Sequence, residues 1–350
     1  MIVELRRHAS GEDVDRAAEV AVSCGAEPHL VRLRGRPVLV LAGCPDTASA
    51  LFEGLAGVTR VVCSIRPYEL AAREFRPAGT VVCVSDVAVG DGNFVVAAGP
   101  CAVESESQLA GAADVVLRAG APLLRGGAYK PRTSPYSFPG LGLEGLALLA
   151  EQRARTGLRV VTEVLEPADV DLVGQYADVL QVGTRNMQNF PLLREVGLSH
   201  RPVLLKRGMG ATIHEWLLAA EYVLAAGNPD VILCERGIRT FETATRFTLD
   251  LAAVPVVKRL SNLPVFVDPS HAAGGAYMVP ALLLAAAAVG ADGALVDVHP
   301  NPRSALCDAD QALEPEEFQA VMHTLESQLR SAGRGLTRQW QDLPLVTGRP

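Results

Sequence analysis

The chain has 350 residues, 49% of them apolar, and a net charge of −7. That is ample material for a sizeable core, in two domains or in one large α/β domain with an appendage, and it excludes a global basic field that would hold nucleic acid. The most apolar run, Pro280 to Val296, is broken by Asp292 and falls short of the ~20 residues a membrane helix needs, so it reads as a buried helix followed by a strand, and no membrane partner is expected.

The first 66 residues read as a separate unit. Ile2–Leu5 alternates as a strand, and Gly11 to Cys24 has helical spacing with Val14, Ala17, Ala18 and Val22 on one side. Pro28–Arg34 and Pro37–Ala42 read as strands joined by a hairpin at Arg34-Gly35-Arg36. Asp46 to Leu55 reads as a second helix with Asp46 as its cap, and Val58–Ile65 as a last strand. The order β-α-β-β-α-β predicts a ferredoxin-like sandwich. Its one polar oddity is His29, at a strand start.

Residues 67–93 read as a linker and hairpin, with Thr80–Val84 and Phe94–Ala98 flanking a turn at Gly90-Asp91-Gly92-Asn93. From 94 to 332 strands and helices alternate. The strands fall at Val95–Ala98, Pro122–Arg125, Arg159–Thr162, Val179–Val182, Val203–Lys206, Val231–Glu235, Val265–Asp268 and Ala294–Asp297. Eight such units predict a (β/α)8 barrel. Ser105 with Gln108, and Thr212 with Glu215, fit the capping box. A tail, 333–350, reads as extended or partner-contacting. Seven dispersed cysteines with no CxxC, and a start carrying Glu4 in place of a secretory signal, point to a reducing cytoplasm.

Barrel enzymes place their chemistry at the C-terminal ends of the strands. Here the longest such loop, Arg125 to Gly142, carries Arg125, Lys130 and Arg132 with the hydroxyls of Thr133 and Ser134, and no carboxylate. That is a site for a multiply charged anion, stiffened by Pro131, Pro135 and Pro139. Arg185, Lys206 and Arg236 stand at other strand ends, and six cations around one mouth imply two anions. Cys101, His271, Asp297 and Asp308 offer S, N, O and O donors to one divalent ion, which suits Mn, Fe, Co or Zn. His299 competes with Asp297, because alternation puts both on one face.

Gly-Pro-Cys (99–101), Lys-Pro-Arg-Thr-Ser (130–134), Gly-Thr-Arg-Asn (183–186), Leu-Lys-Arg-Gly (205–208), Glu-Arg-Gly (235–237) and Asp-Pro-Ser-His (268–271) occur in this order. As a set they resemble the 3-deoxy-D-arabino-heptulosonate 7-phosphate (DAHP) synthases of the short microbial type, over roughly residues 1 to 330. The resemblance implies condensation of phosphoenolpyruvate with erythrose 4-phosphate, the entry to the shikimate pathway. It implies a divalent metal on Cys101, His271, the carboxylate at 297 and Asp308. It puts phosphoenolpyruvate among Arg125, Lys130, Arg185, Lys206 and Arg236, and the aldose phosphate near Arg132, Thr133 and Ser134. Lys130 becomes the candidate proton donor, with Cys101 and His271 beside it. The N-terminal domain becomes a regulatory one that dimerises over an aromatic amino acid, near His29, in a homodimer or homotetramer. Two departures stand out. Asp297 replaces the family's usual Glu, and the tail has no counterpart. The rivals are a 3-deoxy-octulosonate 8-phosphate synthase, whose loop reads Lys-Ala-Asn-Arg, a paralogue taking a modified aldose, and an amino-acid sensor with a degenerate barrel.

Overall fold

A computed structural model of the chain describes residues 1–64 and 66–339. Strands β1 (Ile2–Leu5), β2 (Glu27–Leu33), β3 (Arg36–Ala42) and β4 (Val58–Val62) form an antiparallel sheet in the order β2-β3-β1-β4. The β2–β3 turn works because Arg34 and Gly35 both take positive φ, 48° and 78°, whose twist matches that of the strands. The helix Gly11–Ser23 starts on a full capping box between Ser10 and Asp13, and buries Val14, Ala17 and Ala21 on the sheet. The second helix is shorter than its pattern suggests. Asp46 begins a 3-10 turn, Asp46–Ala48, and the α-helix is only Ser49–Glu53. Pro45 stands at the cap position and offers no side-chain acceptor, so the first turn closes tightly instead.

Residues 66–81 carry no regular element but are tied to the barrel. The Glu221 carboxylate accepts the N–H groups of Glu69, Leu70 and Ala71 at 2.8–3.0 Å. Asn262 donates to the carbonyls of Leu70 and Ala72, and Ser261 to that of Ala71.

The expected hairpin is displaced. Strand β5 (Val82–Val84) pairs with β6 (Val87–Val89), turning at Ser85 with φ 56°. The turn signal at Gly90–Asn93 is instead an Asx turn, Asp91 accepting from the N–H of Asn93, that delivers the chain into the barrel. The alternating valines explain the difference. Val82, Val84, Val87 and Val89 are all buried in one cluster with Val95, Leu123, Val161 and Phe266, which point into the barrel. The hairpin is therefore a plug in one end of the barrel, which leaves the other end to the ligands.

The barrel is closed and wholly parallel: β7 (Val95–Gly99), β8 (Leu123–Arg125), β9 (Arg159–Val164), β10 (Val179–Val182), β11 (Val203–Lys206), β12 (Val231–Glu235), β13 (Val265–Val267) and β14 (Gly293–Asp297), with β14 pairing back to β7. Helices intervene as expected. Thr212 and Glu215 form a complete capping box, whereas Ser105 caps its helix without the reciprocal bond, because Gln108 accepts from Glu104 instead. Of the tail, Gly335 and Thr337 bond to the backbone of Phe94 at the start of β7. Trp340, Pro344 and Pro350 lie outside the described residues. No helix among the described residues is long and apolar enough to cross a membrane.

Candidate active site

At the C-terminal end of β7, Gly99 takes φ 149°, and a Cβ there would sit 2.1 Å from the Arg125 carbonyl oxygen. Glycine thus lets β7 close on β8 and sets Cys101 beneath the mouth. Arg125 ends β8 fully buried. Its Nη1 donates to the Pro100 carbonyl at 2.8 Å, and it lies 2.9 Å from Asp297 Oδ1. The loop after β8 brings Lys130 Nζ to 3.1 Å from both Cys101 Sγ and the Cys101 carbonyl. Burial works against this ammonium, but Cys101, Glu163 and Cys307 together outweigh it and hold Lys130 above the ordinary lysine range.

A cleft of about 270 Å³ opens at this mouth. Seven cations line it: Arg125, Lys130, Arg132, Arg185, Lys206, Arg236 and Arg246. Two carboxylates, Glu163 and Asp308, oppose them. Thr133 and Ser134 share the wall, and Arg185 Nη2 lies 3.3 Å from Thr133 Oγ1. The two cationic groups expected from sequence therefore meet in one cleft. Arg236 has the most unmet donors. It is buried, stacks 4.2 Å over the Phe247 ring, and leaves Nε and Nη1 without a protein acceptor. Arg125 Nε is likewise without one. Burial lowers the Arg236 pKa, so an anion is the partner this site lacks.

Below the cleft, Cys101 Sγ, His271 Nε2 and Asp308 Oδ2 converge. Sulfur to Nε2 is 3.6 Å, sulfur to Oδ2 is 2.9 Å and Nε2 to Oδ2 is 3.7 Å. These donors lie within 4.8 Å of one another, which is the spread of ligands around one ion. Asp268 aims the imidazole: its carboxylate accepts from the His271 backbone at 2.9 Å and lies 3.0 Å from Nδ1, which leaves Nε2 for the nest. The same carboxylate pairs with Lys206, and these two cations hold Asp268 well below the usual carboxylate range despite its burial. Asp268 raises His271 in turn, against burial. Asp308 is pulled down by His271, against burial, with a bond from Cys101.

Asp297 does not join the converging set. Arg125 and Gln311 hold its two oxygens, and its Oδ2 lies 3.6 Å from His271 Nδ1, on the far side of the ring from the sulfur. His299 is no substitute: it faces Glu104 at 3.4 Å. His29 stands half-exposed on the edge strand β2, and no residue of 1–64 lines the cleft.

The model of the DAHP synthetase I family matches residues 70–331. The chain belongs to that family. The chain also aligns at 46% identity with a phospho-2-dehydro-3-deoxyheptonate aldolase of Thermotoga maritima, over 93% of this chain and 97% of that one. A 2-dehydro-3-deoxyphosphooctonate aldolase of Acidithiobacillus ferrooxidans is 32% identical over 67% of this chain and 88% of its own. A crystal structure of the Thermotoga maritima DAHP synthase superimposes with a TM-score of 0.77 at 45% identity, covering 96% of this chain and 98% of that chain. A truncated form of that synthase covers 77% of this chain with a TM-score of 0.72.

For a DAHP synthetase I family member, the motifs divide into those that face ligand and those that hold them. Arg207, inside Leu-Lys-Arg-Gly, is buried against Glu235 and Asp250 and does not line the cleft. Glu163, Gln181, Arg246 and Phe247 line the cleft without having been assigned a role from sequence. Glu163 and Gln181 point inward from β9 and β10, joined at 3.3 Å, and Gly183 is needed because a Cβ there would meet Glu163 Oε1 at 1.9 Å. Glu163 stands out in sequence as a charged residue at the end of an otherwise apolar strand, Val160-Val161-Thr162-Glu163-Val164. Arg246 and Phe247 arrive from the irregular stretch after β12, where no periodicity marks them.

Proposed function

We propose that this protein joins phosphoenolpyruvate to erythrose 4-phosphate and water, releasing 3-deoxy-D-arabino-heptulosonate 7-phosphate and inorganic phosphate. The observation that carries this is the set of buried guanidinium donors without an acceptor, on Arg125 and Arg236, inside a cleft of seven cations. Such groups are costly to bury unless an anion meets them. Arg125, Lys130, Arg185, Lys206 and Arg236 hold phosphoenolpyruvate in this reading. Arg132, Thr133 and Ser134 take the aldose phosphate, and the Arg185–Thr133 contact joins the two sets.

The donor set of Cys101, His271 and Asp308 suits a divalent ion of the Mn, Fe, Co or Zn group, which when bound supplies a Lewis acid for the aldehyde oxygen. The chain's own groups do the rest. The cations neutralise two anions that would otherwise repel, at about 4 kcal/mol per unit-charge pair at 4 Å in a protein surface. They hold the C3 of the enol against the aldehyde carbon. The Lys130 ammonium, kept protonated, donates to the aldehyde oxygen as the C–C bond forms. Water adds at C2 and phosphate leaves. The enzyme works in the cytoplasm as a homodimer or homotetramer, and an aromatic amino acid binds the N-terminal sheet near His29.

The test is phosphate release from phosphoenolpyruvate, with four- and five-carbon aldose phosphates compared. Erythrose 4-phosphate should be turned over well ahead of arabinose 5-phosphate; the reverse order would move the protein to the octulosonate reaction. Treatment with a chelator should abolish release and added divalent ion restore it. Full release by ion-free protein sinks the metal reading.

A further inference from the structure

One aromatic ring in the cleft wall has no part in the reading above. Phe247 lines the cleft, and its ring centroid lies 4.2 Å from Arg236 Cζ. Backbone bonds fix its place on two sides. The Phe247 N–H donates at 2.8 Å to the carbonyl of Ala272, in the short helix Pro269–Ala273, and the Arg246 N–H donates at 3.1 Å to that of Ala273. The next residue, Thr248, exchanges both backbone bonds with Ile238, at 2.9 and 3.0 Å, in an isolated antiparallel bridge. Gly237, between Arg236 and that bridge, takes φ 93°, and a Cβ there would sit 2.7 Å from Phe247 Cβ. The glycine of Glu-Arg-Gly thus makes room for the ring beside the arginine it follows. We propose that Phe247 is a positioning residue, whose ring holds the Arg236 guanidinium in place while leaving its N–H groups free for the substrate's anion. This rests on the assignment of Arg236 to phosphoenolpyruvate.

The contrast with the other deep cations carries it. Asp297 aims Arg125 and Asp268 aims Lys206. A carboxylate that aims a cation takes up N–H groups and competes with the ligand for the rest. Arg236 is only 6% exposed, yet its Nε and Nη1 have no protein acceptor. An aromatic face attracts a guanidinium through the ring quadrupole and takes up none of its in-plane donors. The ring also opposes the push of Arg185 and Arg246, which face Arg236 with like charge. Holding the fork before the ligand arrives removes an ordering cost from binding. Phe247 also lines an apolar hollow with Leu249, Met278 and Leu282. A ring that only filled that hollow would be replaced by another apolar side chain without effect on the anion.

The experiment measures phosphoenolpyruvate binding by calorimetry and steady-state kinetics, on the full chain with divalent ion supplied. Phe247→Leu keeps apolar bulk in the hollow and removes the aromatic face. It should raise the Kd and KM for phosphoenolpyruvate about five- to tenfold, as expected for a desolvated cation–π contact. Its kcat and its KM for erythrose 4-phosphate should stay within about twofold. Phe247→Tyr restores the face and should return phosphoenolpyruvate binding to within about twofold of the parent. Phe247→Met makes the same comparison as leucine should that variant fail to fold. A cycle with Arg236→Ala tests the route: in that background Phe247→Leu should change phosphoenolpyruvate binding less than about twofold. Equal losses with and without Arg236, or parent-like binding in Phe247→Leu while Arg236→Ala binds poorly, overturn the positioning role alone. Parent-like binding in Arg236→Ala overturns the assignment of Arg236 and the positioning role with it.

Discussion

Arg236 and Arg132 show how far a single side chain's surroundings constrain its role. Arg236 is buried with two unpartnered donors, so its binding energy is waiting for a ligand. Arg132 already has a sulfur at 2.7 Å and lies on the loop that carries Thr133 and Ser134. Removing it should therefore fall unevenly on the two substrates. In Arg132→Ala the KM for erythrose 4-phosphate should rise at least about tenfold, the loss of roughly 1.5–3 kcal/mol expected for a charged hydrogen bond, while the KM for phosphoenolpyruvate moves less than about threefold. Steady-state kinetics with each substrate varied in turn reads this directly, and equal losses on both would reject the division of the loop. At this scale the sequence was informative about residue type and silent about partners. Cations and metal-capable groups at strand ends could be picked out, since strand ends follow from periodicity. What Asp297 touches could not, because Gln311 lies 14 residues away on an irregular segment, and only the fold brings its amide to that carboxylate.

At the scale of elements, the barrel strands were legible because each is a short apolar run followed by a helical pattern, and their bounds agree to within two residues or so. The plug hairpin was not. Gly90-Asp91-Gly92-Asn93 is the stronger turn signal, but the buried face of Val82, Val84, Val87 and Val89 needs the barrel interior, and that burial outweighs local turn preference. By composition residues 67–93 read as a linker and hairpin, but residues 66–81 are ordered. Their order comes from outside, chiefly from Glu221 on the helix Ile213–Ala225. Burial raises this carboxyl to about 7, against the pull of its three N–H donors. A carboxyl whose folded pKa lies above its unfolded value, about 4.3, binds its proton more tightly in the folded state. Its contribution to stability is then lost as pH rises from about 4.3 through 7. Glu221→Gln cannot titrate, and its amide accepts fewer N–H bonds. The variant should be less stable than the parent at pH 5, and the gap should close by about 2–3 kcal/mol at pH 8, at roughly 1.4 kcal/mol per pH unit. Urea denaturation at the two pH values measures it; a gap independent of pH would mean that Glu221 stays charged throughout.

On the scale of the whole molecule, the N-terminal sheet and the barrel share buried surface. Ile2, Val31, Leu33, Val38 and Val62 belong to the same apolar cluster as Tyr68, Leu70 and Phe75, and through them the barrel core. Arg60 and Arg76 both lie over the Phe75 ring, and Arg34 pairs with Asp230 just before β12. Deleting residues 1–66 therefore removes the unit proposed to be regulatory and also uncovers Tyr68, Leu70 and Phe75. The barrel should survive, because its closure and its plug lie wholly within residues 82–297. The truncated protein should condense the two substrates within a few-fold of the parent rate, since no residue of 1–64 lines the cleft. Its thermal midpoint should fall by several degrees, as expected for about 2–3 kcal/mol of apolar surface returned to water in a large domain. Inhibition by phenylalanine, tyrosine or tryptophan, measured on both forms, should disappear with the deletion. Inhibition that persists at the same concentration would put the effector on the barrel. A truncated protein that is inactive yet folded would instead mean that the sheet completes the catalytic mouth, through a second copy of the chain.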